Sequence, residues 1–298
     1  MSTLMWLALG GVVLVAVIPL VVHLGFRAPR LREVQTPADV GLSFEAVRIP
    51  TVRGRSLFGW WLAAPPCDRT VVVLHGWGSN AEMMLPIAAP LRRAGLNVLL
   101  VDARNHGHSD GDTFSSLPRF AEDLGSAIAW LRREHPLSTG KLAALGHSVG
   151  AGAVLFEASR NDAISAVISI AAFADPAVVT ERYLRRLRLP RWVVQLVIRY
   201  TEWVIGFRFA RIAPVNTICR IRCPVLLVHG NADRTVPVDD ARLIINGCPL
   251  PHLRLLEIEG ADHGSTDEVE RHIGALLRFL DDAWERPGAR PRPVEAVI

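Results

Sequence analysis

Three separate loops carry residue types that could together perform nucleophilic catalysis: a serine, an aspartate and a histidine. Ser148 stands in Gly-His-Ser-Val-Gly, after an apolar run that predicts a buried strand and before a small-residue run that predicts a helix. Asp233 ends Gly-Asn-Ala-Asp and His263 lies in Gly-Ala-Asp-His-Gly, each after a further apolar run. A serine hydroxyl needs a base to take its proton, and the base needs a carboxylate that fixes its tautomer. These residue types predict acyl-transfer chemistry.

Glycines stand two residues before and two residues after Ser148. Between a strand and a helix this spacing is typical of a sharp, strained turn, because a Cβ at either position would collide with the neighbouring backbone. The turn would lift the hydroxyl above the sheet and place the first N–H groups of the helix beside it. The five-residue pattern is common by chance, so its place between a strand and a helix carries the argument.

The order serine, acid, histidine, with each residue on a loop after a strand, resembles the α/β-hydrolase family, and specifically its single-domain serine hydrolases. The resemblance covers roughly residues 44–284. It implies Ser148 as nucleophile, His263 as base and Asp233 as the acid that orients the base. It also implies an oxyanion hole formed by the backbone N–H groups of Trp77 and Val149.

The family fold is α/β, an α/β-hydrolase fold with a mostly parallel eight-stranded sheet, helices on both faces and a small helical cap. The hydropathy pattern agrees, because apolar runs alternate with helical patterns from Thr70 onward. Two earlier apolar runs, 44–49 and 56–63, flank a turn-like sequence and predict an antiparallel hairpin. The resemblance places the cap insertion at about 173–217.

Residues close to the predicted base receive structural interpretations. Asp262 would point away from the neighbouring imidazole, and Asp239 and Asp240 fit the start of a helix, where carboxylates favour the helix dipole. Ser265 and Glu268 have the spacing of a capping box, which predicts that a helix begins there and fixes the loop.

The remaining histidines and cysteines give no sign of a metal or cofactor site. His75, His147 and His229 are interpreted as loop scaffolding, and Asp102 and Arg104 are expected to make a structural ion pair or hydrogen bonds in their turn. His106 and His108 lack further ligands at metal-binding spacing. Two of the four cysteines, Cys219 and Cys223, have no second ligand pair nearby, so zinc binding is not expected. Cysteines 67, 219, 223 and 248 are all interpreted as free thiols, which weakly favours a reducing compartment.

Residues 4–26 carry no charged side chain, and as a helix they would be roughly 34 Å long, enough to span a bilayer core. A single-pass membrane anchor is therefore predicted; a cleaved signal peptide and a buried helix are the alternatives. Arg27, Arg30 and Arg32 follow the segment and nothing basic precedes it, so the catalytic domain is expected in the cytoplasm. Residues 27–43 would form a linker, 44–284 the hydrolase domain and 285–298 a disordered tail.

The chain has a net charge of +4, and all but one of its 33 basic residues are arginine. The arginines are spread along the chain without interleaved aromatics, so no nucleic-acid partner is expected. Five of them precede the apolar run 192–198 of the cap, which leaves two interpretations open: solvent-facing arginines or contact with anionic lipid. These are Arg182, Arg185, Arg186, Arg188 and Arg191.

The sequence thus predicts a membrane-anchored serine hydrolase that cleaves a carboxylic ester through an acyl-enzyme, without metal or cofactor. A small-molecule or lipid ester is the expected substrate, and a lipid acyl ester is favoured because the apolar cap and anchor would bring the site to lipid. The same residues would also serve an acyltransferase. A non-catalytic membrane-anchored scaffold is a further alternative.

Overall fold

A computed structural model describes residues 16–17, 19–25 and 27–285, and its centre is a single eight-stranded sheet. The strands are β1 (Glu45–Thr51), β2 (Arg55–Leu62), β3 (Arg69–Leu74), β4 (Asn97–Val101), β5 (Lys141–His147), β6 (Ala166–Ile170), β7 (Val225–Gly230) and β8 (Leu253–Ile258). Their order is β1-β2-β4-β3-β5-β6-β7-β8. Strands β3 to β8 pair in parallel, and β1 and β2 form the predicted antiparallel hairpin.

Helices cover both faces of the sheet, as expected for parallel strands that are apolar on both sides. They are α1 (Leu85–Arg93), α2 (Leu117–Glu134), α3 (Val149–Ala158), α4 (Pro176–Arg186), α5 (Arg191–Ile205), α6 (Phe209–Ile212), α7 (Pro214–Thr217), α8 (Val238–Asn246), α9 (Thr266–Arg271) and α10 (Ile273–Glu285). One core cluster joins the sheet to α2, α3 and the cap, and a second joins it to α1, α9 and α10. The α/β fold with helices on both faces is confirmed.

The sheet order creates a switch point beside β3. The chain leaves β3 for β4 on one side and later returns to β5 on the other, so the loops after β3 and β5 are neighbours at the carboxyl edge. Ligands bind at such points in open α/β sheets. The loop after β3 begins at His75 and the turn after β5 holds Ser148, so the topology brings the two predicted oxyanion segments together.

Helices α4 to α7 form the cap, between β6 and β7. Helix α4 begins at an N-cap aspartate, Asp175, whose side chain accepts the N–H of Ala177 at 2.7 Å. The two ends of the insertion meet, because the N–H of Val215 donates to the carbonyl of Ala174 at 3.1 Å. Arg182 is one of the five cap arginines for which solvent exposure or lipid contact was expected. It instead binds Asp240 of α8 with two hydrogen bonds of 2.7 and 3.0 Å. Asp240 does lie in the first turn of α8, but it is buried.

The interpretation of all four cysteines as free thiols is wrong. Cys219, just after α7, forms a disulfide with Cys248, just after α8, and only Cys67 and Cys223 are free. The pairing joins loops 29 residues apart in the chain, which no local spacing reveals. Burial raises the pKa of the Cys223 thiol to about 12. Disulfides persist in oxidising compartments, so the cysteines no longer favour the cytoplasm, and the location of the domain stays a prediction.

The N-terminal anchor is not supported by the described part of the chain. No helix within the described ranges is both long and apolar enough to cross a bilayer. Residues 1–15, 18 and 26, which make up most of the predicted span 4–26, lie outside those ranges, as do residues 286–298 of the predicted tail. Residues 19–25 are helical, and the ring of His23 lies 6.5 Å from Phe114 and 6.3 Å from Tyr200 of the cap.

The predicted linker 27–43 lies against the domain. The Arg30 guanidinium donates to the carbonyls of Gly107 and Ser109, at 3.4 and 2.7 Å. A buried carboxyl, Glu33, lies 3.0 Å from the Nε2 atom of His108. These contacts attach the segment to the turn that follows β4.

Candidate active site

Ser148 occupies the sharp turn that the flanking glycines predicted. Its φ of 54° and ψ of −114° place it outside the regions that L-residues favour, and α3 begins at the next residue. A Cβ on Gly146 would overlap the backbone of Gly150, and one on Gly150 would overlap the carbonyl of His75. Glycine is therefore required at both flanking positions, because strand, helix and neighbouring loop approach one another too closely for any side chain.

The three predicted catalytic residues form a continuous hydrogen-bonded chain. The Nε2 atom of His263 lies 3.0 Å from Oγ of Ser148, and its Nδ1 atom lies 2.7 Å from Oδ2 of Asp233. With Nδ1–H donating to the carboxylate, Nε2 is left to accept the serine hydroxyl proton. Thirty residues separate the acid from the imidazole and 115 separate the imidazole from the serine. The fold, not local sequence, brings the three groups together.

Asp233 is held as a buried carboxylate. Its Oδ1 atom accepts the N–H groups of Thr235 and Val236, both at 2.8 Å. Burial would raise the pKa of Asp233, but hydrogen bonds from His229, His263 and the Val236 N–H outweigh it and lower the pKa below its ordinary value. The carboxyl therefore stays ionised across the neutral range, which is what its predicted role beside the imidazole requires.

The two predicted oxyanion donors lie on segments in direct contact. Val149 is the first residue of α3, so its N–H has no acceptor within the helix. A Cβ on Gly76, next to Trp77, would lie 3.2 Å from Cβ of Ser148, which shows how closely the β3 loop approaches the nucleophile turn. The Trp77 ring packs edge-on against His106 at 6.1 Å.

Two buried neutral histidines hold the loop that carries Trp77. Nε2 of His106 accepts the N–H of Gly78 at 3.1 Å, while its Nδ1–H donates to the carbonyl of Arg104 at 3.0 Å. His75 uses the same pattern with Ala103 as donor, at 3.0 Å, and Gly76 as acceptor, at 2.7 Å. Burial lowers the pKa of His106 to about 4 and that of His75 to about 3. Both rings therefore stay neutral and hold the loop.

Two further histidines, interpreted from the sequence as loop scaffolding, hold the loops around Ser148, His263 and Asp233. The Nε2–H of His147 donates to the backbone carbonyl of His263 at 2.7 Å, so the residue before Ser148 holds the loop that carries His263. Burial lowers the pKa of His147 to about 4. His229 donates to the carbonyl of Val236 at 2.8 Å and lies 3.5 Å from Asp233. Their positions beside the two motifs were the available sequence signal.

The structure corrects one local interpretation beside His263. Ser265 does precede α9, but its side chain makes no capping hydrogen bond; its Oγ contacts Asp262 instead, so no capping box forms. Asp262 is a loop residue, as predicted, and also accepts the N–H of Gly264 at 3.0 Å.

Asp102 and Arg104 both make structural hydrogen bonds at the turn after β4, but no ion pair between the two is found among the described residues. The buried Arg104 guanidinium binds three carboxylates on the α2 side of the turn, those of Asp112, Glu122 and Asp123. Asp102 instead accepts the backbone N–H groups of Ala81 and His108. Among the described residues, no group of three or more His, Cys, Asp or Glu side chains is arranged to hold a metal ion.

Known proteins share both this sequence pattern and this architecture. The family model described as serine aminopeptidase, S33, matches residues 65–212. The uncharacterized protein YqkD of Bacillus subtilis is 27% identical over 84% of this chain and 85% of its own length. A monoacylglycerol lipase of Mycolicibacterium smegmatis is 24% identical over 76% of this chain and 91% of its own. Esterase Pf2001 of Pyrococcus furiosus superposes with a TM-score of 0.70 at 25% identity, covering 85% and 98% of the two chains.

The sheet order, the strained turn at Ser148 and the comparisons with known proteins all indicate the same fold. The names of two of these proteins, an esterase and a monoacylglycerol lipase, describe enzymes that act on esters. The sheet and its helices match the esterase over nearly its whole length. The chain is a serine hydrolase of the ester-hydrolase type, built on the α/β-hydrolase fold.

Proposed function

We propose that the chain hydrolyses a carboxylic ester through an acyl-enzyme, with Ser148, His263 and Asp233 as its catalytic triad. The observation that carries the proposal is the unbroken chain of 3.0 and 2.7 Å contacts from the serine hydroxyl through the imidazole to the carboxylate. His263 takes the Ser148 proton as the hydroxyl attacks the ester carbonyl, and then returns that proton to the leaving alcohol. Water repeats the sequence on the acyl-enzyme, releasing the acid.

The N–H groups of Val149 and Trp77 would stabilise the negative oxygen of each tetrahedral intermediate. A donor of this kind contributes roughly 2.7–4 kcal/mol of transition-state stabilisation. Both donors belong to the backbone, so their placement depends on α3 and on the loop held by His75 and His106.

A lipid acyl ester is the proposed substrate class. The monoacylglycerol lipase relative acts on such an ester by name, and the cap between β6 and β7 is rich in apolar side chains. The S33 family description names a peptidase, so amides are the class to compare against. An acyltransferase that uses the same three residues remains the alternative reaction.

The direct test is fluorophosphonate labelling of the wild type and of Ser148→Ala, followed by hydrolysis of esters of increasing chain length and of aminoacyl anilides. Labelling should disappear in the variant, and ester hydrolysis should fall at least about a thousandfold. Ser79→Ala, which removes a different serine from the β3 loop, should retain both. Labelling that survives Ser148→Ala would disprove the assigned nucleophile.

Substrate class and reaction type need separate readouts. Faster cleavage of anilides than of esters would contradict an ester hydrolase. Adding an alcohol or amine acceptor and measuring how the acyl group divides between acceptor and water separates the two reactions. Predominant transfer of the acyl group to the acceptor, even at a low acceptor concentration, would favour the acyltransferase.

A further inference from the structure

Helix α5 of the cap presents apolar side chains on two opposite faces. Val194 and Ile198 point into the core and are only 3% and 7% exposed, and Thr201, one turn on, is also buried. This inward face accounts for the attachment of the helix to the domain. The apolar residues on the outer face do not take part in this buried contact.

The outer face is a stripe formed by Trp192, Leu196, Tyr200 and Trp203. Their spacing of four, four and three residues places them along one side of the helix. Trp192 is 59% exposed and Trp203 is 75% exposed, and the centroids of the tilted Tyr200 and Trp203 rings lie 5.6 Å apart. Contiguous exposed apolar surface of this kind marks an interaction site, and tryptophan suits the boundary between lipid and water because its ring is apolar while its N–H is polar.

The stripe continues onto the helical residues 19–25. The His23 ring lies 6.3 Å from Tyr200, which joins the two elements. Exposed aliphatic side chains flank that histidine, with exposures between 55% and 59%: Leu20, Val21 and Leu24. Apolar surface from two separate parts of the chain therefore meets beside the cap.

The charge of the cap is opposite to that of an anionic membrane. Residues 173–217 contain eight arginines and three carboxylates, a net charge of +5, whereas the whole chain carries +4. Two of those carboxylates are already paired within the cap: Glu181 binds Arg185, and Glu202 binds Arg199 and Arg208.

Three exposed arginines stand between the two long cap helices or at their ends: Arg186, Arg188 and Arg191. None of them forms an ion pair with any residue in the described part of the chain. Guanidinium groups that are charged, exposed and unpaired can bind lipid phosphates.

We propose that this surface, the aromatic stripe with Arg186, Arg188 and Arg191, docks on an anionic lipid bilayer. The rings would enter the headgroup region while the arginines bind lipid phosphates. Docking would turn the cap, and with it the carboxyl edge of the sheet, toward the membrane. The proposal concerns binding and does not depend on the ester hydrolysis proposed above.

The test follows one ring, because the predicted N-terminal anchor could by itself hold the chain on any vesicle. The Trp203 signal is the fluorescence difference between the full chain and its Trp203→Phe variant. Brominated phospholipids should quench that signal in vesicles of phosphatidylcholine with phosphatidylglycerol, but little in phosphatidylcholine alone. High salt should restore the signal, since it screens the arginines.

Charge variants test the basic half of the surface. The double variant Arg186→Gln, Arg188→Gln should need roughly fivefold more anionic vesicles per arginine removed to reach half-maximal Trp203 quenching. The matched control removes two exposed arginines at the far end of α2, Arg132→Gln with Arg133→Gln, and should leave quenching unchanged. Unchanged hydrolysis of a soluble ester by both double variants would show that the fold is intact.

Several results would overturn the proposal: no quenching of Trp203 in anionic vesicles, equal quenching in neutral ones, or an equal effect of the control variant. Acrylamide should quench Trp203 strongly before lipid is added. Protection at that stage would show that another segment, such as residues 4–15, covers the stripe instead. Absence of ester hydrolysis in every form, with docking intact, would count only against the proposed function.

Discussion

Ser148 combines a reactive position with an unfavourable backbone. A φ of 54° with a ψ of −114° costs a non-glycine residue of order 1–3 kcal/mol, and the surrounding strand, helix and loop impose it. The residue therefore lowers the stability of the fold while it exposes its hydroxyl to His263. The strain has a measurable consequence at this one position.

Replacing Ser148 by glycine should give a protein more stable than Ser148→Ala, although both lack the proposed nucleophile. Glycine relieves the strain but adds unfolded-state entropy of about 0.5–1 kcal/mol, so a net gain of about 1 kcal/mol is expected. Thermal unfolding monitored by circular dichroism should show a midpoint about 2 °C higher for the glycine variant. A glycine variant that unfolds below the alanine variant would show that the turn is not strained.

At the scale of elements, the turn after β4 links the segment 27–43 to the loop after β3 that carries Trp77. Asp102 begins this turn, and its carboxyl accepts the N–H of Ala81 at 2.8 Å and that of His108 at 2.9 Å. A second buried carboxyl, that of Glu33 from the segment before β1, lies beside it, and a Cβ on Gly107 would overlap both side chains. Burial, followed by the neighbouring Glu33 carboxyl, raises the pKa of Asp102 well above its ordinary value.

The raised pKa of Asp102 should make the protein less stable as pH rises. The native state keeps the Asp102 proton, whereas the unfolded chain releases it near pH 4, so the free energy of unfolding falls from there through the native pKa. Arg30 and His108 are the other charged or titratable groups beside the pair. Glu33→Gln keeps a hydrogen-bond donor and removes the like charge, so it should flatten the decline.

Urea unfolding at a series of pH values between 5 and 9 measures this effect. Glu45→Gln, which removes an exposed carboxylate from β1, is the matched control and should follow the wild type. Parallel curves for Glu33→Gln and the wild type would contradict an effect of Glu33 on the pKa of Asp102. Because the segment contacts Gly107 and Ser109, the comparison also reports how firmly it is attached.

Across the whole molecule, the neutral histidines around the site should lower the free energy of unfolding at acid pH. Burial lowers the pKa of His75 to about 3 and those of His106 and His147 to about 4. The unfolded chain protonates such groups near pH 6.5, and the native state does so only near pH 4 or below. Stability contributed by these residues is therefore complete above pH 6.5 and is lost as pH falls.

As pH falls from 6.5 to 4, each of these histidines should lower the free energy of unfolding by roughly 1.4 kcal/mol for each pH unit. His106→Gln can still accept from the N–H of Gly78 and donate to the carbonyl of Arg104. It should therefore reduce the pH dependence of the free energy of unfolding by the contribution of one histidine. His272→Gln, in the turn between α9 and α10, is the control. If His106→Gln leaves the slope between pH 7 and 5 unchanged, the ring is not held neutral.

Much of this architecture was predictable because it follows from local hydropathy patterns and motifs. The strands from β3 onward coincide with apolar runs to within about two residues, and the three motifs follow strand ends. Contacts between distant loops were not predictable: Glu33 with Asp102, Cys219 with Cys248, and His147 with the carbonyl of His263. Each depends on which strands are neighbours in the sheet, and no periodicity of the chain contains that information.

The hydrogen bond between Ala174 and Val215 closes the cap insertion at its base. Because entry and exit share one point, the intervening segment can lengthen, shorten or change composition without shifting β6 or β7. Substrate preference and lipid contact can then diverge among descendants of this chain while the reactive groups remain fixed. The catalytic sheet and its cover can therefore evolve as separate modules.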